Sequence, residues 1–265
     1  MKAYEAFQSA NKGKPIAENL PFVIGNMFLS QGDSENSIRY FEESLKIYPQ
    51  GRFSGISVAQ KAQAQVGLKQ YDEALKTFEA SLANNPAPEV GVVAQFGIAN
   101  IHRDTAKWDD AVAAYKLVVE KYSGTPQAAE SAYWIAACTQ QKGDNAAAAP
   151  LLEAFLQANP GHPYEALALF ALGNARVANG QKDEGIATLA QVVEKFPDSQ
   201  PAPFTYFTRA QILAADQNVE GINTLMREFI SKYPQDDKIY FAYNSIAGNQ
   251  VNSADAAGAI ATWQE

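Results

Sequence analysis

The sequence predicts an all-α fold built from repeated pairs of antiparallel helices. Three observations support this prediction: a constant repeat length, apolar residues at helical spacing within each repeat, and helix-ending residues between repeats. Apolar residues make up 47% of the 265 residues and charged residues 19%, which is typical of a folded chain rather than a disordered one.

The repeat length is seen most clearly in the residue that closes each unit. The segments "SIRYFEESLKIYP" (37–49) and "ALKTFEASLANNP" (74–86) are followed by four similar segments. Their closing residues are 37 positions apart at every step: Pro49, Pro86, Ser123, Pro160, Pro197 and Pro234. A constant period of this kind is the sequence signature of a repeat architecture.

Each repeat is predicted to contain two helices. In the second helix a small residue is followed four positions later by a large apolar one, as in Ser37 and Phe41, which places both on one helical face. Acidic residues such as Asp33 precede these helices and suit an N-cap, and the closing proline stops them. Small residues such as Gly25 are expected to let the two helices approach closely. Glycines are expected to end several first helices: Gly32, Gly143 and Gly180.

Two segments carry a family resemblance, "YDEALKTFEASLANNP" (71–86) and "ALGNARVANG" (171–180). They resemble the tetratricopeptide repeat (TPR), whose first helix contains Leu-Gly and whose second helix opens with Tyr-Asp-Glu-Ala. The resemblance covers nearly the whole chain, with a period of 37 residues where about 34 is usual. It implies a right-handed α-solenoid of antiparallel helix pairs, the TPR superhelix, whose concave face is lined by the first helices.

The period predicts a single TPR array over residues 1–265. A half repeat at 1–15 and a partial repeat at 235–265 flank six full repeats, at about 16–49, 50–86, 87–123, 124–160, 161–197 and 198–234. Because solenoids usually end on polar capping helices, the incomplete ends predict a segment of a longer array.

Composition and motifs argue against several functions. A net charge of −8 disfavours a nucleic-acid partner, and no apolar run reaches the ~18 residues of a membrane span. Nucleotide-binding and hydrolase motifs are missing, so an enzyme is disfavoured and no cofactor or metal is expected. The single cysteine, Cys138, is predicted to be a buried thiol, and His162 is predicted to lie in an exposed loop.

A candidate partner-binding groove comes from an aromatic and an amide residue four positions apart, as in "FVIGN" (22–26), "FGIAN" (96–100) and "FALGN" (170–174). This spacing keeps both residues on one helical face, which the TPR resemblance places on the concave side. Arg103 is the one cation expected there. The aromatic position runs through Phe22, Ala59, Phe96, Tyr133, Phe170 and Tyr206, and the amide position through Asn26, Gln63, Asn100, Ala137, Asn174 and Ala210.

Two roles are open for these residues. In the first, the aromatic rings give apolar contact and the amides bond to the backbone of a partner segment. In the second, the rings pack between repeats and each Asn bonds to a nearby group of its own chain. TPR domains that hold a chaperone's C-terminal carboxylate use groove Lys and Arg together with Asn. This protein has Phe or Tyr where the first lysine is expected, which favours an apolar or neutral protein segment.

The sequence thus predicts a non-enzymatic scaffold for protein–protein interaction that binds a partner segment in its concave groove. The alternative is a structural or assembly segment of a longer multi-repeat protein, which contacts partners through its convex face or its ends. Connections such as "FPDSQPAP" are similar to those of bacterial envelope TPR proteins, namely the Tol–Pal periplasmic protein and outer-membrane assembly lipoproteins. This similarity favours a periplasmic or envelope location over a cytoplasmic one. The sequence assigns neither a partner nor an oligomeric state.

Overall fold

The computed structural model describes residues 2–83 and 86–264, and all the regular secondary structure in these ranges is α-helix. Met1, Asn84, Asn85 and Glu265 lie outside the described residues, as do the side chains of Lys2, Ala3 and Glu5. The first helices are α2 (Pro15–Ser30), α4 (Ser54–Gly67), α6 (Pro88–Asp104), α8 (Pro126–Gln141), α10 (Glu165–Ala178), α12 (Ala202–Ala215) and α14 (Ile239–Asn252). The second helices are α1 (Lys2–Ala10), α3 (Ser34–Ile47), α5 (Tyr71–Ala83), α7 (Trp108–Lys121), α9 (Asn145–Ala158), α11 (Lys182–Lys195), α13 (Val219–Lys232) and α15 (Ala256–Gln264). Within the described ranges, no helix is long and apolar enough to cross a membrane.

The turn between the two helices of a repeat depends on one residue in the left-handed conformation. This residue lies two positions after the end of each first helix, so the turns recur every 37 residues. The predicted helix-ending glycines are confirmed here, since Gly32, Gly143 and Gly180 have φ values of +76°, +87° and +82°. Four other repeats place a non-glycine residue in the same conformation, where a Cβ is unfavourable: Lys69, Ala106, Gln217 and Ala254.

The acidic N-caps that the sequence predicts for the second helices are present on α3 and α9, whereas α7 and α11 begin after Lys107 and Gln181, which form no side-chain cap. Asp33 and Asp144 are N-caps, and their side chains accept hydrogen bonds from the backbone N–H groups of Asn36 (3.2 Å) and Ala147 (2.9 Å). The residue before the closing proline leaves the helical conformation in four repeats, with ψ values of 64°, 58°, 55° and 59° at Tyr48, Asn159, Phe196 and Tyr233. The ring of a proline disfavours the helical conformation for the residue before it.

Small residues bring the two helices of a repeat into close contact. The Ser37 hydroxyl donates a 3.0 Å hydrogen bond to the backbone carbonyl of Gly25, twelve residues earlier on α2. A Cβ at Gly25 would lie only 2.7 Å from the Phe41 ring. In another repeat, a Cβ at Gly173 would lie 2.7 Å from Cγ of Leu189. A Cβ at either position would therefore require the facing side chain or helix to move away.

The protein divides into two compact units, Met1–Lys142 and Gly143–Glu265, and the division falls in the turn between α8 and α9. In the first unit, successive helices from α2 to α8 pack on one another, and the first helices α2, α4, α6 and α8 also contact each other in sequence. Its core includes Phe78, Ile101 and Tyr115. In the second unit, successive helices from α9 to α15 pack in the same way, and its core includes Met226 and Phe229.

Candidate binding site

In the first unit, a cleft of about 260 Å³ lies among α4, α5, α6 and the N-terminal part of α8. Its lining includes three residues that the sequence predicts for a groove, Gln63, Phe96 and Asn100. These residues come from two consecutive first helices, and the contact between α4 and α6 brings them together. The structure thus joins an aromatic ring and two amides in one recess.

Gly97 opens this cleft. A Cβ at Gly97 would lie 2.4 Å from the ring of Phe78, which is fully buried on α5 and also lines the cleft. Other repeats have a side chain at the position in register with Gly97, including Val23, Gln60 and Trp134. The missing side chain on α6 therefore lets the buried Phe78 ring pack directly against α6, where it forms the floor of the cleft. This glycine is the signal from which the cleft could have been predicted.

Asn100 is oriented by a buried tyrosine. The Tyr115 hydroxyl donates a 2.6 Å hydrogen bond to Oδ1 of Asn100 and accepts one of 3.2 Å from Nη1 of Arg103. Burial raises the pKa of Tyr115 well above its usual range, although the nearby Arg103 charge opposes this effect. The hydroxyl therefore stays neutral and keeps its proton for Asn100. With Oδ1 occupied in this way, Nδ2 of Asn100 is the group that can donate to a ligand.

Arg103 has a structural role and does not line the cleft. Its guanidinium bonds to Asp104 at 2.8 and 3.0 Å, and its Cζ lies 4.1 Å from the centroid of the Trp134 ring. The Trp134 ring in turn donates from Nε1 to Glu130 at 3.1 Å. Because Arg103 is not part of the lining, Glu130 is the one charged residue among the described residues that line the cleft.

The other predicted groove residues of the first unit contact their own chain. Asn26 donates from Nδ2 to the backbone carbonyl of Phe22 at 3.2 Å, within α2. The Phe22 ring stacks on Phe53, with 4.6 Å between ring centroids. Tyr133 is buried, with 7% of its surface exposed. Phe22, Asn26 and Tyr133 do not line the cleft. They contact or are buried within their own chain, as in the second of the two roles considered for these residues.

In the second unit, Phe170 and Asn174 are half-buried on α10, and Tyr206 is buried on α12 against Phe229 and Tyr233. The ends of the helices correct the predicted register of the repeat that begins with α12. Because α10 and α12 end 37 residues apart, Phe207 is in register with Phe170, and the prediction of Tyr206 was one residue too early. The amide position correspondingly holds Gln211 in place of Ala210. The error arose because two adjacent aromatic residues both fit the pattern.

Cys138 is buried as predicted, with 1% of its surface exposed. Burial raises the pKa of its thiol to about 11, an effect that Arg103 opposes. The predicted exposure of His162 is wrong, because its ring is half-buried against Phe155 and Tyr164, at centroid distances of 5.2 and 5.3 Å. No group of three or more metal-ligating side chains occurs in the part of the protein that the structure describes.

Comparison with family models decides the classification. Models of the tetratricopeptide repeat match residues 140–203, residues 96–163, and residues 22–50 together with 57–88. The chain belongs to the tetratricopeptide repeat family. A TPR fold suggests a scaffold for protein–protein interaction, and TPR proteins are generally non-enzymatic.

Solved TPR structures share this fold, which confirms the predicted helix-pair solenoid. The C-terminal part of a TPR protein from Cytophaga hutchinsonii matches with a TM-score of 0.70 and 17% identity, over 92% of this chain and 93% of that one. A TPR protein from Parabacteroides merdae matches with a TM-score of 0.64 and 12% identity, over 93% and 91%. YrrB, described as a TPR protein with an unusual peptide-binding site, matches with a TM-score of 0.55 and 16% identity, over 76% and 96%. No curated protein matches the sequence.

Proposed function

We propose that this TPR protein is a scaffold that binds a segment of a partner protein in the cleft among α4, α5, α6 and α8. The observation that carries the proposal is the convergence of Gln63, Phe96 and Asn100 on this one recess. The similarity in fold to YrrB, whose description includes a peptide-binding site, adds support. A periplasmic or envelope location, with the cytoplasm as the alternative, stays a prediction from the sequence.

The size of the cleft suits side chains of a peptide. Its volume of about 260 Å³ is below the range of roughly 300–1,000 Å³ of pockets that enclose a small molecule. One or two side chains of an extended or helical segment would fill it. The walls contributed by Phe78, Phe96 and Val93 are apolar, so an aliphatic or aromatic side chain would remove the most apolar surface from water.

The polar groups of the cleft suit a peptide backbone. Nδ2 of Asn100 would donate to a backbone carbonyl, and the exposed amide of Gln63 can both donate and accept. Glu130, the single charged residue of the described lining, already accepts a hydrogen bond from Trp134. The preferred partner is therefore an apolar or neutral segment.

Selection of short random peptides displayed on phage, at physiological ionic strength, would supply probes. Each selected peptide would then be tested for cross-linking to p-benzoylphenylalanine placed at Gln63, which is exposed on the cleft, or at Lys116, which is exposed on α7. We expect cross-linking from position 63 and none from position 116. Equal cross-linking from both positions, or selection of no peptide, would overturn the proposal. Efficient cross-linking from position 116 alone would favour the alternative role, contact through the second helices.

A further inference from the structure

A second cleft, in the other unit, contains an arginine whose Nε has no hydrogen-bond partner among the described residues. This cleft has a volume of about 500 Å³ and is lined mainly by the second helix α13, with two residues of α12 and one of α11. Ile186 and Leu213 contribute apolar surface to it, and Arg209 lies in it on α12. It is therefore separate from the first-helix cleft proposed above, and the inference does not depend on that proposal.

The position of Arg209 is apolar in most other repeats. The residues in register with it are aliphatic in five repeats: Ile24, Ile98, Ile135, Leu172 and Ile246. Besides Arg209, one charged residue occupies this position, Lys61, whose Nζ forms a 2.8 Å ion pair with Glu42 on the preceding second helix. In the repeat of Arg209, the residue in register with Glu42 is Ala190. The counter-ion that Lys61 has is thus missing for Arg209.

No other group in the described ranges replaces that counter-ion. Nε of Arg209 is shielded from solvent and has no hydrogen-bond partner there. Arg209 also forms no ion pair with any described residue, although Glu220 and Glu228 line the same cleft. A buried donor without an acceptor destabilises the fold, and such groups call for a specific explanation. An acceptor supplied by another molecule would pair with the guanidinium, which lacks a counter-ion among the described residues.

The charges of the lining restrict what that molecule can be. Arg209 is half-buried, whereas Glu220 and Glu228 are exposed. A ligand with one carboxylate alone would be repelled by the two glutamates, and a simple cation would leave Arg209 without a counter-ion. A carboxylate next to a positive charge complements both parts of the lining.

We propose that this cleft binds a carboxylate that has a cationic group beside it, with the carboxylate on Arg209 and the cation near Glu220 and Glu228. A planar guanidinium can bond to both carboxylate oxygens. The same chemistry occurs in an acidic residue next to a basic one, and in the terminal carboxylate of a polypeptide that ends just after a basic residue.

Four blocked dipeptides would test the proposal by NMR of the Arg209 Nε–Hε signal, assigned from its loss in Arg209→Leu. Acetyl-Glu-Lys-amide carries the side-chain carboxylate, and acetyl-Lys-Ala with a free C-terminus carries the terminal one. Acetyl-Gln-Lys-amide has no carboxylate, and acetyl-Glu-Ala-amide has no cation. We expect a saturable shift from at least one of the first two, and affinity lower by about tenfold or more for the last two. No saturable shift from either of the first two, or an equal shift from acetyl-Gln-Lys-amide, would overturn the proposal.

The variant Arg209→Leu gives a second readout that does not need the ligand. Because leucine and isoleucine fill this position in other repeats, the variant is expected to fold and to raise the Tm by a few degrees, while it abolishes carboxylate binding. The matched control, Lys61→Leu, removes a residue whose charge is paired, and it should raise the Tm less. A Tm that falls in Arg209→Leu would show that Arg209 is satisfied within the fold and would contradict the proposal.

Discussion

The Tyr115 hydroxyl, on the second helix of a repeat, donates a 2.6 Å hydrogen bond to Oδ1 of Asn100, on the first helix of the same repeat. This bond determines which end of the Asn100 amide is available to the cleft. A residue of the core thus sets the hydrogen-bonding character of a residue on the surface, and its removal should affect both stability and binding.

Tyr115→Phe keeps the buried ring and removes the hydroxyl. We expect the free energy of unfolding to fall by about 1 kcal/mol, because Oδ1 of Asn100 and Nη1 of Arg103 each lose a partner. Affinity for a cleft-selected peptide should fall severalfold, because the amide is then free to turn. Urea denaturation and fluorescence polarisation measure the two effects. In an Asn100→Ala background the same change should cause no further loss of affinity, and a full additional loss would contradict the role given to Tyr115.

Two helical glycines of the second unit should respond oppositely to alanine. At Gly173 a Cβ would lie 2.7 Å from Leu189 and 3.2 Å from the backbone oxygen of Gly185, so Gly173→Ala should cost about 1–3 kcal/mol. At Gly248 no atom lies within 4 Å of the added Cβ, so Gly248→Ala should stabilise α14 by about 1 kcal/mol. Chemical denaturation of both variants tests this, and changes of the same sign would show that helix separation is not set by residue size.

The left-handed turn residues offer a stabilising change. Ala106 has a φ of +56° at the position where other repeats have glycine, so Ala106→Gly should raise the free energy of unfolding by about 1 kcal/mol. Ala113, which is exposed within α7, provides the control, since Ala113→Gly should cost about 1 kcal/mol. Thermal denaturation should therefore give a higher Tm for the first variant and a lower one for the second.

Cys138 should make stability depend on pH in the alkaline range. Burial raises the pKa of its thiol from 9.0 to about 11 in the folded protein. The folded state then holds the proton more tightly than the unfolded state does. The stability that the protonated Cys138 thiol contributes to the fold is therefore complete below about pH 9, and it is lost as the pH rises towards about 11. Urea denaturation across this range should show a shallower decline for Cys138→Ala than for the unchanged protein, and identical slopes would be evidence against the raised pKa.

Much of the fold could be predicted because it depends on local residues. Gly32 ends a helix through its own φ, and Pro49 stops one through its own ring. Both helix ends can therefore be predicted without knowledge of the neighbouring repeats. The cleft was predicted in part for the same reason, since Gln63 and Asn100 follow the period. The floor of the cleft was not predicted, because it depends on the packing of the Phe78 ring of α5 against Gly97 of α6.

The role of Arg103 could not be predicted for a related reason. Its partners Tyr115 and Trp134 lie on two other helices, and the sequence period places Arg103 on a first helix without saying which neighbouring groups it reaches. The division into two units between Lys142 and Gly143 likewise could not be predicted, because the repeat period continues unchanged across it.

The most direct test of the proposed cleft compares two asparagines that are 74 residues apart in the same repeat position. Asn100 lines the cleft, whereas Asn174 lies in the other unit. The dissociation constant of a cleft-selected peptide would be measured by isothermal titration calorimetry for Asn100→Ala and Asn174→Ala. We predict a loss of about tenfold for Asn100→Ala and no change for Asn174→Ala. Unchanged affinity in Asn100→Ala, or an equal loss in both variants, would contradict binding at this cleft.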